Sequence, residues 1–185
     1  MEDKNLHIFG IRAVIEAIQA GKEIDKVLIK KDLSGDLANE LFALLRDSKI
    51  PVQRVPIEKL NRITQKNHQG VVAMVAAVTY EKLSNILPTL FEEDRNPFFV
   101  VLDGITDVRN FGAIARTCEC AGVDAIVIPE RGSVSVNADA VKTSAGALHC
   151  LPVCRERSIV SALRFMKACG VKVVGASEKS NLNYT

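Results

Sequence analysis

The stretch FFVVLDGITDVRNFGAIARTCECAG, residues 98–122, predicts a strand, a polar loop and a helix in direct succession. Its first five residues are aromatic, β-branched or otherwise apolar, which is typical of a strand buried on both faces of a parallel sheet. The loop that follows is polar and stands where the strand ends, the edge at which open α/β sheets bind ligands. We expect Asn110 to cap the helix and Gly122 to end it.

The predicted helix carries faces of different chemistry. The face expected to pack on the sheet holds Ala113, Ile114, Thr117 and Ala121. Arg116 lies on another face and could bind a phosphate with two parallel hydrogen bonds, although an ion pair with Glu119 at i+3 is an equal alternative. Arg109 and Asn110 stand at the helix N-terminus, which favours an anion. The segment lacks both G-x-G-x-x-G and the Walker pattern, so it does not predict a dinucleotide or ATP site.

The composition is that of an ordinary globular protein. The chain has 185 residues, of which 48% are hydrophobic and 25% charged, and its net charge of +2 is too small to indicate a polyanionic partner by itself. No apolar run approaches the roughly 20 residues of a membrane span, and the polar start does not resemble a secretory signal, so we expect a cytoplasmic protein without a membrane partner. The five cysteines lack the spacing of zinc ligands and are odd in number, so we expect neither a metal nor a disulfide framework.

The rest of the chain divides into two α/β units. Residues 1–80 alternate helices and strands, ending in a polar turn and an apolar strand at 71–78. Residues 81–96 hold a short apolar helix and a charged run, and we expect a linker there. Residues 97–185 alternate strands and helices again, which implies right-handed crossovers and a parallel sheet.

Two further segments raise questions of function. Between Arg46 and Lys66, basic residues outnumber acidic ones by four, which could make a phosphate-contacting face, although an ordinary solvated face explains it equally well. The apolar segment 171–176 predicts a buried strand, yet only nine residues follow it. We therefore expect further chain or a partner to cover that strand.

Several motifs, in order along the chain, resemble the SpoU (TrmH-like) branch of the SPOUT class of RNA ribose methyltransferases. The nearest resemblance is to the two-domain members that methylate a 23S ribosomal RNA guanosine. The motifs are FGIRAV at residues 9–14, HQGVVA at 68–73, LDGITDVRNFGAIART at 102–117, KTSAGA at 142–147 and VVGA at 173–176. Val108 departs from the pattern, since the family usually has proline there.

The resemblance implies an α/β fold in two parts. Residues 1–80 would form a small L30e-like α/β domain that binds the RNA substrate, followed by a linker at 81–96. Residues 97–185 would form the N-terminal part of a Rossmann-like, parallel-sheet SPOUT domain whose C-terminal trefoil knot is missing.

The resemblance also implies an activity, the transfer of a methyl group from S-adenosylmethionine to a ribose 2′-hydroxyl. The RNA would be ribosomal RNA, with transfer RNA as the alternative, and the complete protein would be a homodimer. Asn110 and Arg116 occupy catalytic positions of the family, and the RNA-binding residues would be Arg12, His68, Gln69 and Arg109. Because a guanidinium stays protonated, we expect Arg116 to stabilise a developing alkoxide or a phosphate rather than to accept a proton.

The family's second and third motifs do not occur in the 185 residues. The residues that hold S-adenosylmethionine are therefore expected beyond Thr185, and we expect the 185-residue chain itself not to methylate. A non-catalytic RNA-binding module, which would use the L30e-like domain and the basic segment, is the alternative. A small-molecule Rossmann-type enzyme has less support because its phosphate fingerprint is missing.

Overall fold

The computed structural model describes residues 7–48 and 50–176, and in them two four-stranded sheets follow one another along the chain. We call β1 to β4 with their helices the first unit, and everything from β5 onward the second unit. The first unit consists of β1 His7–Phe9, α1 Ile11–Gln19, β2 Ile24–Lys30, α2 Asp36–Asp47, β3 Val52–Val55, α3 Ile57–Ile63 and β4 Val71–Val75. The second unit consists of β5 Tyr80–Glu81, α4 Leu83–Glu92, β6 Phe99–Val101, α5 Val108–Cys120, β7 Ala125–Pro129, α6 Ala138–Thr143, a short 3-10 helix Ala147–His149, β8 Val153–Glu156 and α7 Ile159–Ala168.

The sheet of the first unit is mixed, with the order β1-β4-β2-β3. Strands β2 and β3 run parallel, while β4 runs antiparallel to both β1 and β2. Apolar residues of α1 and α2 pack on one face of this sheet, around Val14 and Leu41. Leu60 of α3 packs on the other face against Leu28 and Val72. The sheet is therefore covered on both sides, as layered α/β structures require.

The sheet of the second unit is entirely parallel, with the order β5-β8-β7-β6. Helices α5 and α6 cover one face, where Phe111 and Ala140 join the core, and α4 and α7 cover the other, where Leu87 and Met166 do. Residues 125–128 of the central strand β7 are buried, and their side chains face both sides of the sheet. The α/β class with a parallel sheet in the second unit is thereby confirmed.

The strand that opens the 98–122 stretch is less buried than predicted. Strand β6 is the last in the sheet order, its three residues are only half-buried, and Phe98 is 49% exposed. An edge strand lies at the margin of the covering helices, whereas β7, with a neighbour on each side, takes the fully buried place. The prediction of burial on both faces is wrong for β6 and describes β7 instead.

Helix α5 buries a different face from the one predicted. Phe111, Gly112, Ala115 and Cys118 are the buried residues of α5. By contrast, Ala113, Thr117 and Ala121 are exposed and Ile114 is half-buried. The predicted stripe was wrong by about one residue, because small and apolar residues occupy most of the helix and the single large buried anchor, Phe111, fixes its rotation.

Two strand predictions also need correction. Residues 171–176 form no strand in the structure, and Val174 is 80% exposed. A strand forms where a neighbour completes its hydrogen-bond ladder, and no described strand pairs with this segment. Strands β1 and β5 were not predicted, since segments of three and two residues are too short for a pattern. The nine residues after 176 lie outside the described part of the chain.

The segment predicted as a linker carries regular structure. Helix α4 occupies most of residues 81–96 and buries Leu83, Leu87 and Leu90. The charged residues that follow are tied to the second unit, where Arg95 pairs with Asp124. This segment therefore packs as part of the second unit.

Candidate functional site

The polar loop at the carboxyl end of β6 is joined to α5 by a side-chain cap. The Asp107 carboxylate accepts a hydrogen bond from the Asn110 backbone N–H at 2.7 Å, so Asp107 is the N-cap and α5 begins at Val108. The prediction that Asn110 caps the helix is wrong: Asp107 lies three residues earlier and reaches the free N–H first. The Asn110 side chain is exposed and makes no hydrogen bond to a described residue.

Three predicted site residues lie on the exposed side of α5. Arg109 and Arg116 are seven residues apart, so they share one face at a spacing of about 10.5 Å along the axis. Asn110 lies about 100° around the helix from Arg109. All three side chains are exposed. The structure therefore brings them to one helix, with Arg109 and Asn110 in its first turn and Arg116 about two turns further along.

The alternative role of Arg116, an ion pair with Glu119, is not realised in the structure. No carboxylate among the described residues lies within 4.0 Å of the Arg116 guanidinium. The Glu119 carboxylate instead accepts a weak hydrogen bond from the Cys120 thiol at 3.7 Å. Arg116 is thus available to a ligand.

Close packing against α6 fixes the position of α5. A Cβ placed on Gly112 would lie 2.7 Å from the Cβ of Thr143 and 2.9 Å from the Ala140 carbonyl oxygen, so only glycine allows this approach. The Ser144 side chain behind it is fully buried, donates to the Val141 carbonyl at 2.8 Å and accepts from the Leu148 N–H at 3.3 Å. The KTSAGA motif therefore supports the helix that carries Asn110 and Arg116.

The predicted residues of the first unit meet at the start of α1. Gly10 precedes this helix without a side chain to cap it, and the Gln69 carbonyl oxygen accepts the Ile11 N–H at 3.1 Å instead. Arg12 follows in the first turn and is exposed. Gln69 and Arg12 are therefore neighbouring features of one surface.

His68 lies inside the turn rather than on its surface. It is only 8% exposed, its Nδ1 accepts the Gly70 N–H at 2.9 Å, and its Nε2 lies 2.8 Å from the Asn61 carbonyl oxygen. Since Nδ1 accepts, Nε2 carries the proton donated to Asn61. Both ring nitrogens are thus used within the first unit, and the ring fixes the shape of the turn that presents Gln69.

A buried polar cluster joins the two units, and no pattern in the sequence predicted it. Asp25 of β2 forms an ion pair with Arg155 of β8 at 3.2 Å and accepts hydrogen bonds from the Tyr80 hydroxyl at 2.7 Å and from Ser135. The Arg155 guanidinium also lies 4.0 Å from the centre of the Tyr80 ring. The available signal was Asp25 next to buried apolar residues in EIDKVLI, residues 23–29, and Arg155 next to buried apolar residues in LPVCRE, residues 151–156.

Burial has chemical consequences for two groups near this cluster. It raises the pKa of the Tyr80 hydroxyl, and the adjacent Asp25 carboxylate raises it further, so the phenol stays protonated and donates to Asp25. Burial together with the Glu156 and Glu81 carboxylates raises the pKa of the Cys154 thiol to about 12. A thiol this hard to ionise is a poor nucleophile and a poor metal ligand at neutral pH.

Three further observations concern disulfides, metals and membranes. The five cysteines are unbonded to one another. Within the described ranges, no three side chains of His, Cys, Asp or Glu come together as a metal ion would require. None of the helices in those ranges has the length and apolar character needed to cross a membrane.

Comparison with known proteins finds two family matches that together span most of the chain. Residues 7–81 match the family described as RNA 2′-O ribose methyltransferase substrate binding, and residues 97–185 match the SpoU rRNA methylase family. A Bacillus subtilis protein named as a TrmH family tRNA/rRNA methyltransferase is 32% identical over 184 residues, which cover 100% of this chain and 74% of that protein. A similarly named protein of Staphylococcus saprophyticus is 33% identical, over 96% of this chain and 71% of its own.

Solved structures include more distant matches. The SpoU methyltransferase AviRb from Streptomyces viridochromogenes, in complex with the cofactor AdoMet, is 23% identical with a TM-score of 0.42. An AdoMet-bound rRNA methyltransferase from Sinorhizobium meliloti is also 23% identical, with a TM-score of 0.41. The aligned regions cover 89% and 88% of this chain and 58% of each solved chain.

Proposed function

The chain belongs to the SpoU/TrmH family of RNA 2′-O ribose methyltransferases, and we propose that it acts in the transfer of a methyl group from S-adenosylmethionine to a ribose 2′-hydroxyl of RNA. The observation that carries this proposal is the exposure of three polar side chains on α5 that have no partner among the described residues. The Arg109, Asn110 and Arg116 side chains are exposed on the helix that begins at the carboxyl end of a parallel sheet, and neither arginine has an ion pair with a described residue. Side chains held by a rigid helix and left unpaired are suited to a ligand.

We assign Arg116 the role of charge stabilisation. A guanidinium remains protonated in proteins, so it cannot remove the proton from the ribose hydroxyl. It can lower the energy of the alkoxide that develops there, or hold the neighbouring phosphate with paired hydrogen bonds. Asn110 supplies an amide that both donates and accepts, which suits it to orient a ribose hydroxyl.

The cofactor would supply a methyl group on a sulfonium centre. Within the described residues, the cavity next to the α5 loop does not suit it: three basic side chains and two acidic ones line that cavity. S-adenosylmethionine carries a net positive charge and an adenine ring that prefers apolar surroundings. We therefore assign the described residues to the RNA side of the reaction.

The first unit would bind the RNA away from the reacting ribose. Arg54, Arg62 and Lys66 of the basic segment are exposed. Arg54 is held in place, since it lies 5.4 Å from the centre of the Phe42 ring and donates to the Lys31 carbonyl at 2.8 Å. Pre-ordered cations lose little entropy when they meet a phosphate.

Arg12 and Gln69 extend this surface at the start of α1, and we propose that both contact the RNA. Arg12 offers a charge to a phosphate, and the Gln69 side-chain NH₂ group remains able to donate because only its carbonyl oxygen accepts from Ile11. His68 contributes by holding the turn that presents Gln69.

The finer assignments follow from the motifs. We propose ribosomal rather than transfer RNA as the substrate, a cytoplasmic site of action, and a homodimer as the active state of the protein. The resemblance of LDGITDVRNFGAIART, residues 102–117, to the enzymes that methylate a 23S ribosomal RNA guanosine supports the assignments of the RNA and of the homodimer.

The test is a transfer assay with the protein expressed from its complete reading frame. Ribosomal RNA and transfer RNA are each incubated with S-adenosylmethionine labelled in its methyl group, and the RNA is then digested to nucleosides. We expect label in a 2′-O-methylated nucleoside of ribosomal RNA. Label on a base, or RNA binding without any label, would contradict the proposal, and the second result would favour a binding module.

A further inference from the structure

A cavity of about 410 Å³ lies between the two units. Lys26 of β2 and Gln53 of β3 line it from the first unit, and Thr106 and residues 129–134 line it from the second. Thr106 follows β6, and residue 129 is the last of β7, so the cavity opens at the carboxyl ends of two parallel strands. That edge is where open α/β sheets bind ligands, and the volume falls within the range of about 300–1,000 Å³ typical of ligand pockets.

The charges in this cavity favour an anion. Lys26 and Arg131 line it from opposite units, and neither has an ion pair with a described residue. Arg155 and Asp25 also line it but neutralise each other through their ion pair at 3.2 Å. Glu130 is the remaining acidic residue of the lining. Two unpaired cations against one carboxylate leave the cavity net positive.

One polar atom in the lining has no partner within the protein. The Ser133 hydroxyl is buried and makes no hydrogen bond to a described residue. A buried hydroxyl without a partner is costly and is retained where it serves a ligand or holds a water. Gln53 and Thr106 add side-chain donors and acceptors that make no described hydrogen bond either.

We propose that this inter-unit cavity binds one unpaired nucleotide of the RNA, a neighbour of the nucleotide that is methylated. Its phosphate would lie between Lys26 and Arg131, and its base edge or ribose would complete the hydrogen bonding of Ser133 and Gln53. Unstacked nucleotides are the parts of RNA that proteins read through their polar edges. The inference rests on the proposed function, because it takes RNA as the ligand.

The position of Thr106 connects this nucleotide with the reacting one. Thr106 lies in the same loop as Asp107, which caps α5, and only four residues before Asn110. A nucleotide held against Thr106 would therefore set which neighbour reaches α5. The cavity then contributes to the choice of the methylated position as well as to affinity.

The test compares RNA affinity for the full-length protein and four variants over a range of salt concentrations. One neutralised phosphate of a single strand contributes about 0.7 to the slope of log affinity against log salt, and Lys26 and Arg131 would share one phosphate, so Lys26→Ala and Arg131→Ala should each lower the slope by up to about 0.7. Ser133→Ala should weaken RNA binding about threefold to tenfold, as expected for one lost hydrogen bond. The control is Arg164→Ala, an exposed arginine of α7 outside the cavity, which should match the unmodified protein.

Thermal unfolding of the same variants separates a binding role from a structural one. If the Ser133 hydroxyl has no partner in the free protein, Ser133→Ala should leave the melting temperature unchanged or raise it, while RNA affinity falls. A lower melting temperature together with unchanged RNA affinity would show a structural role and overturn the proposal. The Ser133 variant also keeps the test decisive if a charge variant fails to fold.

Other results would overturn the proposal in different ways. If the slope of log RNA affinity against log salt is the same for the Lys26 and Arg131 variants as for Arg164→Ala, a phosphate in the cavity is excluded. A raised KM for S-adenosylmethionine with unchanged RNA affinity would make the cavity a cofactor site instead. The transfer assay with unmodified protein tests the proposed function separately. If the protein transfers methyl groups but the variants bind RNA as the unmodified protein does, only the nucleotide site is rejected. If the variants have altered salt slopes but the protein transfers no methyl group, only the activity is rejected.

Discussion

The turn around His68 in the first unit and the loop before α5 in the second are both short polar segments, but they use their polar atoms differently. In the first, His68 bonds to Gly70 and Asn61, and Gln69 accepts the Ile11 N–H. In the second, only Asp107 is engaged, through the Asn110 N–H. The functional side chains of α5 remain without partners among the described residues.

Residue type alone therefore does not distinguish a side chain that supports the fold from one that binds a ligand. A histidine and a glutamine in a short polar motif are as suggestive as an asparagine and an arginine. What differs is whether the fold itself satisfies their hydrogen bonds, because a side chain already bonded within the protein must lose that bond before it can serve a ligand. The His68 turn should act through its shape, and α5 through its chemistry.

The largest effect is expected at the contact between the two units that carry these regions. Arg155→Ala leaves the buried Asp25 carboxylate without its cation, and breaking a buried pair in this way costs about 3–5 kcal/mol. We expect the free energy of unfolding in urea to fall by that amount. Arg157→Ala, an exposed arginine two residues later, is the control and should change it by less than about 0.5 kcal/mol. A loss below about 1 kcal/mol for Arg155→Ala would show that the cluster does not hold the units together.

On α5, whose functional side chains have no partner among the described residues, Arg116→Ala should abolish methyl transfer without affecting stability. Loss of one electrostatic donor typically lowers kcat by about 10²–10³-fold. Arg116 is exposed and has no described ion pair, so the melting temperature should not change. Calorimetry should show unaltered binding of S-adenosylmethionine to the full-length variant. A kcat within about tenfold of the unmodified enzyme would rule out the assigned role.

The His68 turn should show the reverse pattern, a loss of stability with unchanged salt dependence of RNA binding. His68→Ala removes two hydrogen bonds of a buried ring and leaves the Gly70 N–H without its acceptor, which costs about 1–3 kcal/mol. The salt dependence of RNA binding should stay the same, since a neutral ring contributes no phosphate contact. Gln65→Ala, three residues earlier and exposed, is the control. A stable His68→Ala variant with a reduced salt slope would instead place His68 on the RNA.

The sequence predicted the parallel sheet well because its signal is strong and local. Apolar β-branched runs such as 125–128, bounded by turns and alternating with helices, leave few other topologies. The same reasoning misjudged β6, because an edge strand and a central strand have similar sequences and differ only in their neighbours. Segment 171–176 failed for the same reason: its apolar residues have strand character but no described partner.

The buried cluster around Asp25 shows what kind of site feature a linear pattern cannot predict. Asp25 and Arg155 are separated by 130 positions and belong to different sheets, so their pairing depends on how the units dock. Each charge in an apolar strand indicated only that some partner must exist. By contrast, Asn110 and Arg116 lie on one helix, and their common exposure followed from helical spacing once its rotation was known.

The smallest predicted effect tests the most local part of the comparison, the cap of α5. Asp107→Ala should destabilise the protein by about 1 kcal/mol, since it removes the acceptor of the Asn110 N–H. Asn110→Ala should cost less than about 0.5 kcal/mol, because that variant keeps its backbone N–H and the bond to Asp107. The rate of methyl transfer by Asn110→Ala should nevertheless fall. Asp107→Ala should retain methyl transfer in proportion to the fraction of the protein that is folded. If the two variants lost the same free energy of unfolding, the Asn110 side chain would itself contribute to the cap. One fewer side chain of α5 would then be free to contact the ribose.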